Sequence, residues 1–416
     1  MSSSIELRPG APEPAARHAR LQRTATFRGG KLVLWLEAQV FVNGAGILGG
    51  RVAVEAARSG ARVIVCDKDV GAEVNLGTQS SVVPGVAKAR SVAAACNALA
   101  PGSARAICAD VRNVGVGTLR SCAVLMDCSD DAGLAWPLTE LSNGLDRPLL
   151  RLALDGSGRT EVGRVLTSAG GAGRACQLCP CSPADLARKA PSTPCPGSAA
   201  SEPAPTLAGG ALGMAIAGIA LLQAQRLVTR NDLEQVLDRE LVLDLTNFQL
   251  LATRLRRANS CLSRHESWGE LVPSGVTTNS VTLAELFDLC AGQLGATDVA
   301  LEPYGHPLAL EVHCECGARR VAVGSLWSAG PSCGRCGRRM DWMRGVQWPR
   351  INRAQARELG ILADTPASLG LPADGALLVA RALGRPVLRL LFEPTPTPES
   401  ASNPTQPEER NVPSDT

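Results

Sequence analysis

Aromatic side chains are scarce in this 416-residue chain, at 3%, with one tyrosine and five phenylalanines. Such a surface offers few of the stacking platforms on which single-stranded nucleic acids are held. An excess of one charge is also missing: the formal net charge is +3 and the arginines are spread along the chain, which reads as a solvated mixed surface and argues against a nucleic-acid partner. Only four histidines are present. Long apolar runs are nearly absent. The one candidate, Leu207 to Leu222, is rich in small residues and is followed by Gln223 and Gln225; a membrane span needs about 20 apolar residues, so this run is expected to be a buried helix. The opening residues Met1-Ser-Ser-Ser-Ile-Glu-Leu-Arg-Pro are polar and show no hydrophobic leader, which suggests a cytoplasmic chain.

Cysteine and glycine are plentiful instead. Fifteen cysteines without secretory signals point to metal ligation and reactive thiols rather than a disulfide framework. Cys66, Cys96, Cys108, Cys122 and Cys128 stand singly in apolar segments, where cysteine acts as a small hydrophobe. The glycines concentrate meaning in one place. Gly44, Gly46 and Gly49 form a G-x-G-x-x-G turn between the apolar segment Val40–Asn43 and a small-residue helix, and Asp67 ends the next apolar segment, Arg62–Cys66. Gly44 permits the turn, Gly46 lets backbone amides approach phosphate, Gly49 lets helix and strand pack closely, and an acid at Asp67 can bind ribose hydroxyls.

The chain is long enough for two or three domains. Residues 1–22, with Pro9, Pro12 and Pro14, are expected to be a disordered arm, and 394–416 a disordered Pro/Thr/Ser-rich tail. From 23 to 270, strands at Val40–Asn43, Arg62–Cys66, Ala104–Cys108, Ala123–Asp127 and Leu149–Leu154 alternate with helices, the pattern of a mostly parallel, Rossmann-like α/β sheet. A helix is expected at Leu32–Glu37, a loop at 180–206, a helix at Leu207–Val228 and a return strand near Leu241–Leu251. A second, α+β module is expected over 276–393, with a helix at Leu283–Leu294 and strands near Val299–Glu302, Leu308–Val312 and Pro386–Phe392. No internal repeat is evident.

Four further features accompany the glycine turn: Asp69 beside Asp67, Asn75-Leu-Gly-Thr-Gln79, Lys88 in Gly85-Val-Ala-Lys-Ala, and Asp127-Cys-Ser-Asp-Asp131. Together with the turn they resemble the ThiF/MoeB family, the adenylating fold shared with ubiquitin-activating enzymes, over about residues 20–260. The resemblance implies a homodimer that uses ATP and magnesium to adenylate the C-terminal glycine of a ubiquitin-like or sulfur-carrier protein ending in Gly-Gly. It implies that Asp67 binds ribose, that Asn75 and Lys88 meet the phosphates with Asp69 and Gln79 alongside, and that Asp130 holds magnesium. The attacking carboxylate has a pKa near 4 and is ionised at neutral pH, so no general base is needed. The sequence departs from the family twice: the arginine of Asn-Leu-x-Arg-Gln is Thr78, and the Asp-Asn pair is Asp130-Asp131. Lys68, Arg90 or an arm residue such as Arg23 would have to replace the lost guanidinium, or catalysis is impaired. Two other readings stand beside adenylation. One is a non-catalytic scaffold that binds a ubiquitin-like partner; the other is an NAD-dependent oxidoreductase, for which no catalytic acid or hydride pocket is evident.

Cys176 and Cys179 have the spacing of a zinc knuckle. The family places the second pair beyond the long apolar helix, where Cys261 and His265 stand here. Cys314, Cys316, Cys333 and Cys336 form two short-spaced pairs, each followed by glycine, as in a zinc ribbon. Cys195 lies in the 180–206 loop, where the resemblance allows a covalent acceptor, but Pro194 and Pro196 supply no base to activate it.

Overall fold

In the computed structural model, which describes residues 18–155, 160–182, 209–343 and 347–395, five short apolar segments pair as parallel strands. They are β1 (Gln39–Asn43), β2 (Arg62–Cys66), β3 (Ala104–Ile107), β4 (Val124–Asp127) and β5 (Leu149–Asp155), ordered β3-β2-β1-β4-β5. Each lies within a residue or two of its expected place. Alternation along the strands decides which face each side chain enters. Val40 and Val42 face a core built with α2 (Gly49–Arg58), α3 (Lys88–Leu99) and the long α6 (Gly210–Val228). Phe41, between them, faces the other side with Leu119 of α4 (Val116–Arg120) and Leu138 of α5 (Ala135–Leu145). The preceding α1 (Leu32–Glu37) buries Leu32 and Trp35 in the first core.

Three antiparallel strands extend this sheet beyond β5: β6 (Val162–Ser168), β7 (Arg239–Asp244) and β8 (Gln249–Arg254). A short α7 (Leu233–Val236) precedes β7. The single strand expected near Leu241–Leu251 is therefore a hairpin. Its turn is set by the Asp244 carboxylate, which accepts the amides of Thr246 and Asn247. Helix α6 is long and apolar enough to cross a membrane, yet Leu212, Ile216, Ala220 and Ala224 place one face in the core.

Two expectations need correcting. Cys108 is exposed, because β3 ends one residue earlier and the chain turns outward. Part of the expected arm is also ordered, since His18 is buried. Beyond it, Phe27 is buried and the Ala25 carbonyl accepts from Asn231 just past the C-terminal end of α6.

The second module opens at β9 (Val272–Thr277), followed by α8 (Leu283–Leu294). The Thr282/Glu285 capping box starts α8, and Gly295 in left-handed conformation ends it, as the sequence spacing requires. The other strands are β10 (Ala300–Pro303), β11 (Leu308–His313), β12 (Arg319–Ser325), β13 (Asp341–Trp342), β14 (Gln347–Trp348), β15 (Ile351–Asn352), β16 (Leu377–Arg381) and β17 (Leu388–Glu393), with α9 at Arg353–Glu358. One sheet runs β15-β10-β16-β17-β9; in the other, β11 carries β12, β13 and β14.

The module docks on the α4/α5 face. Trp268 packs against Gly144, where a Cβ would lie 2.1 Å from the indole. Asp374 accepts the Gly115 amide at 2.8 Å and the Thr118 hydroxyl at 2.7 Å, and the Gly375 carbonyl accepts the Gly117 amide. Hydrogen bonds to a charged acceptor are worth about 1.5–3 kcal/mol each. Asp374→Ala is expected to raise amide exchange at Gly115 and Gly117 about tenfold or more while leaving β1–β5 protected; unchanged exchange at those glycines would show that the carboxylate does not hold the docking.

Candidate functional site

The glycine turn sits at the C-terminal end of β1, where the strand order reverses between β1 and β4, the place at which open α/β sheets take ligands. Gly44 has φ +86°, and a Cβ there would meet the Cys128 backbone at 3.0 Å. At Gly49 a Cβ would lie 1.7 Å from the Gly44 carbonyl oxygen, so this helix start tolerates only glycine. Gly46 differs: the nearest atom to its missing Cβ is Gln79 Nε2, 3.9 Å away. The space so left is part of a narrow cleft lined among others by Gly46, Arg51, Gln79, Ser80 and Ser81.

Asp67 accepts the Ala45 amide at 2.6 Å through one oxygen and the Asp69 amide at 2.7 Å through the other. Burial raises its pKa, and those two amides oppose the shift. Each oxygen keeps a further lone pair, which suits a ribose hydroxyl. Lys88, at the start of α3, reaches Asp69 at 3.3 Å with most of its side chain covered. Asn75 is committed locally, its amide oxygen accepting from Ala72 at 2.9 Å. Gln79 carries a buried Oε1 with no hydrogen-bond partner among the described residues.

At the end of β4, Asp127 is 1% exposed and accepts from Asn43 at 2.9 Å and the Ser129 hydroxyl at 2.7 Å. Burial raises its pKa against Arg151, whose Nε stands 3.5 Å away. Asp130 is exposed, so its carboxylate is open to a hard cation. Asp131 accepts the Gly133 amide and pairs with Arg112 at 2.7 Å. Burial alone would raise its pKa, but the Arg112 pair outweighs it and the net shift is downward. Arg112 also bridges to Asp110 at 3.0 Å and lies 4.8 Å from the Trp327 ring, while Asn113 donates to the Trp327 carbonyl at 2.6 Å. The second module thus reaches the ends of β3 and β4.

Both thiol clusters assemble. Cys176 Sγ lies 3.6 Å from Cys261 Sγ and 3.9 Å from Cys179 Sγ, and His265 Nε2 stands 3.7 Å and 3.4 Å from Cys176 and Cys179. In the second cluster Cys314–Cys336 is 3.5 Å and Cys316–Cys333 is 3.7 Å. A zinc with bonds of about 2.3 Å spaces tetrahedral sulfurs by about 3.8 Å, so both sets fit the ion. Burial, then Arg257, lowers the His265 pKa and favours the neutral ring that ligates. Cys181 stays outside the first cluster with its Sγ 3.7 Å from the Gln177 carbonyl. Cys195 and most of the 180–206 loop lie outside the described residues.

The ThiF family profile matches residues 18–264. The chain belongs to the ThiF family. Similar solved structures include E. coli MccB with ATP, at 15% identity and TM-score 0.47 over 60% of this chain and 74% of that one. E. coli MccB with AMPCPP and MccA shows 15% and 0.47 over 61% and 75%, and PaaA shows 14% and 0.42 over 55% and 67%. No curated protein matches the chain.

Of the proposed stand-ins for the missing family arginine, Lys68 is 3.6 Å from Asp110 and Arg90 is exposed. Arg23 adjoins the far end of α6, a 19-residue helix roughly 28 Å long that begins beside the glycine turn, so within one chain it does not reach the cleft. Arg51, Arg112, Arg151 and Trp327 were not anticipated. The only trace in the sequence is an arginine directly after the double glycine that opens α2.

Zinc analysis of the purified chain is expected to find two ions. His265→Ala should leave one, His265→Cys should restore two, and Cys333→Ser should remove the other; a stoichiometry unaffected by either cluster's loss would disprove the assignment.

Proposed function

We propose that this ThiF-family chain adenylates the C-terminal carboxylate of a polypeptide with ATP, the acceptor being a ubiquitin-like or sulfur-carrier protein ending in Gly-Gly. The observation that carries the proposal is the grouping at the β1/β4 switch point: an open glycine turn anchored by Asp67, a covered lysine beside it, and an exposed carboxylate at the end of β4. A dinucleotide site would account for Asp67 and the glycines but not for Lys88 and Asp130.

In the reaction a carboxylate oxygen bonds to the innermost phosphorus as the bond to pyrophosphate breaks. Magnesium, held by Asp130, would neutralise charge on the phosphates. The chain's own part is to orient and to balance charge. Gly46 leaves its backbone open, Lys88 supplies a cation, and Gln79 offers an amide in the same cleft. Arg151 and Asn43 fix Asp127, which in turn holds Ser129 beside Asp130. The two zinc ions would be structural, the first pinning residues on either side of α6. From the family resemblance, two copies would pair through the outward face of α6, where Met214 is 60% exposed. The cytoplasm is the proposed location.

Thr78 supports a second reading, a scaffold that binds the carrier without activating it. ATP–pyrophosphate exchange with a β-grasp carrier ending in Gly-Gly separates the two. Exchange is expected only with the carrier's terminal glycines intact, and Lys88→Ala and Asp130→Asn should each lower its kcat by about 10²–10³-fold. Carrier binding without exchange would establish the scaffold, and exchange with a short unrelated peptide would displace the carrier assignment.

A further inference from the structure

Arg51 is a half-buried cation without a counterion. Its Nη1 donates to the Ile47 carbonyl at 2.6 Å, and among the described residues no carboxylate lies within ion-pair distance. Burial lowers its pKa, the mark of a charge held away from water with too little compensation. The guanidinium lies against the start of α6, where Cβ atoms built on Gly210 and Gly213 would stand 3.3 Å from Nη2 and 3.4 Å from Nη1. Arg51 also lines the cleft at the glycine turn, together with Gly46, Gln79, Ser80 and Ser81, and the Gln79 amide nitrogen is the atom nearest the missing Cβ of Gly46.

A planar guanidinium and a row of neutral donors around a small cleft at a glycine turn recognise a tetrahedral oxyanion. We propose that Arg51 binds the terminal phosphates of the nucleoside triphosphate, supplying from the first turn of α2 the cation that Thr78 cannot. This rests on the nucleotide reading above. The charge has moved across the cleft: position 78 directly precedes Gln79, whose amide faces Gly46, and Arg51 lines the cleft with both. It remains a binding and positioning residue, with no proton to give or take.

Titration calorimetry with ATP, inorganic pyrophosphate and AMP tests this on the full chain. Arg51→Ala is expected to weaken ATP and pyrophosphate about 10- to 100-fold while AMP changes less than about twofold, because only the distal phosphates lose their partner. Arg51→Lys should fall between, and adding Thr78→Arg to Arg51→Ala should recover about tenfold in ATP affinity. That rescue cannot come from a merely structural role. Equal weakening of AMP and ATP, or unchanged ATP binding with a raised KM for the polypeptide, would overturn the assignment, the latter giving Arg51 to the substrate carboxylate. Wild-type protein that takes up neither ATP nor AMP would overturn the nucleotide reading itself, a result separable from any behaviour of the variants.

Discussion

A missing methyl group organises this molecule. With no Cβ at Gly49, α2 packs onto the Gly44 carbonyl, and the turn between them is drawn tight against the end of β1. The Asp67 carboxylate then reaches across from β2 to the Ala45 amide, joining two adjacent strand ends through the turn. Any side chain at Gly49 would push the helix outward and lengthen that bond. The opening at Gly46, the cleft beside it and the placement of Arg51 all follow from this contact.

Charge at the C-terminal edge of the sheet is balanced in layers. Asp127 is fully enclosed and is met by Arg151, Asn43 and Ser129. Asp131, where the family pattern has an uncharged amide, adds a negative charge that Arg112 cancels. Arg112 is held by Asp110 on one side and the Trp327 ring on the other, so the balance depends on a residue more than 200 positions away in the chain. Asp374 and Trp268 fix the same interface at two further points. The appended module is therefore an ordered wall beside the strand ends, not a tethered accessory.

The two thiol clusters have different structural positions. The first joins the segment after β6 to the segment after β8, on either side of α6, and closes the antiparallel half of the sheet. The second joins the turn after β11 to the loop before β13 within the appended module. Neither is near the glycine turn in sequence, and each suits a local clamp in place of a larger apolar core.

Much of the parallel half was legible from residues alone. Valine-rich segments interrupted by small-residue helices admit few arrangements, and the glycine turn has one. The thiol pairs were legible because zinc spacing is local. The hairpin β7–β8 was read as one strand, because apolar residues continue on both sides of a short turn that depends on the Asp244 carboxylate capping two amides. The exposure of Cys108 and the burial of His18 depend on where strands end and what the arm packs against. Local sequence thus determined most of the elements, the turn and the short-spaced thiol pairs, because each arises from neighbours a few residues apart. Only the tertiary structure decided which arginine faces the cleft and which aromatic ring backs Arg112, because those contacts join distant segments whose approach is set by packing and charge balance.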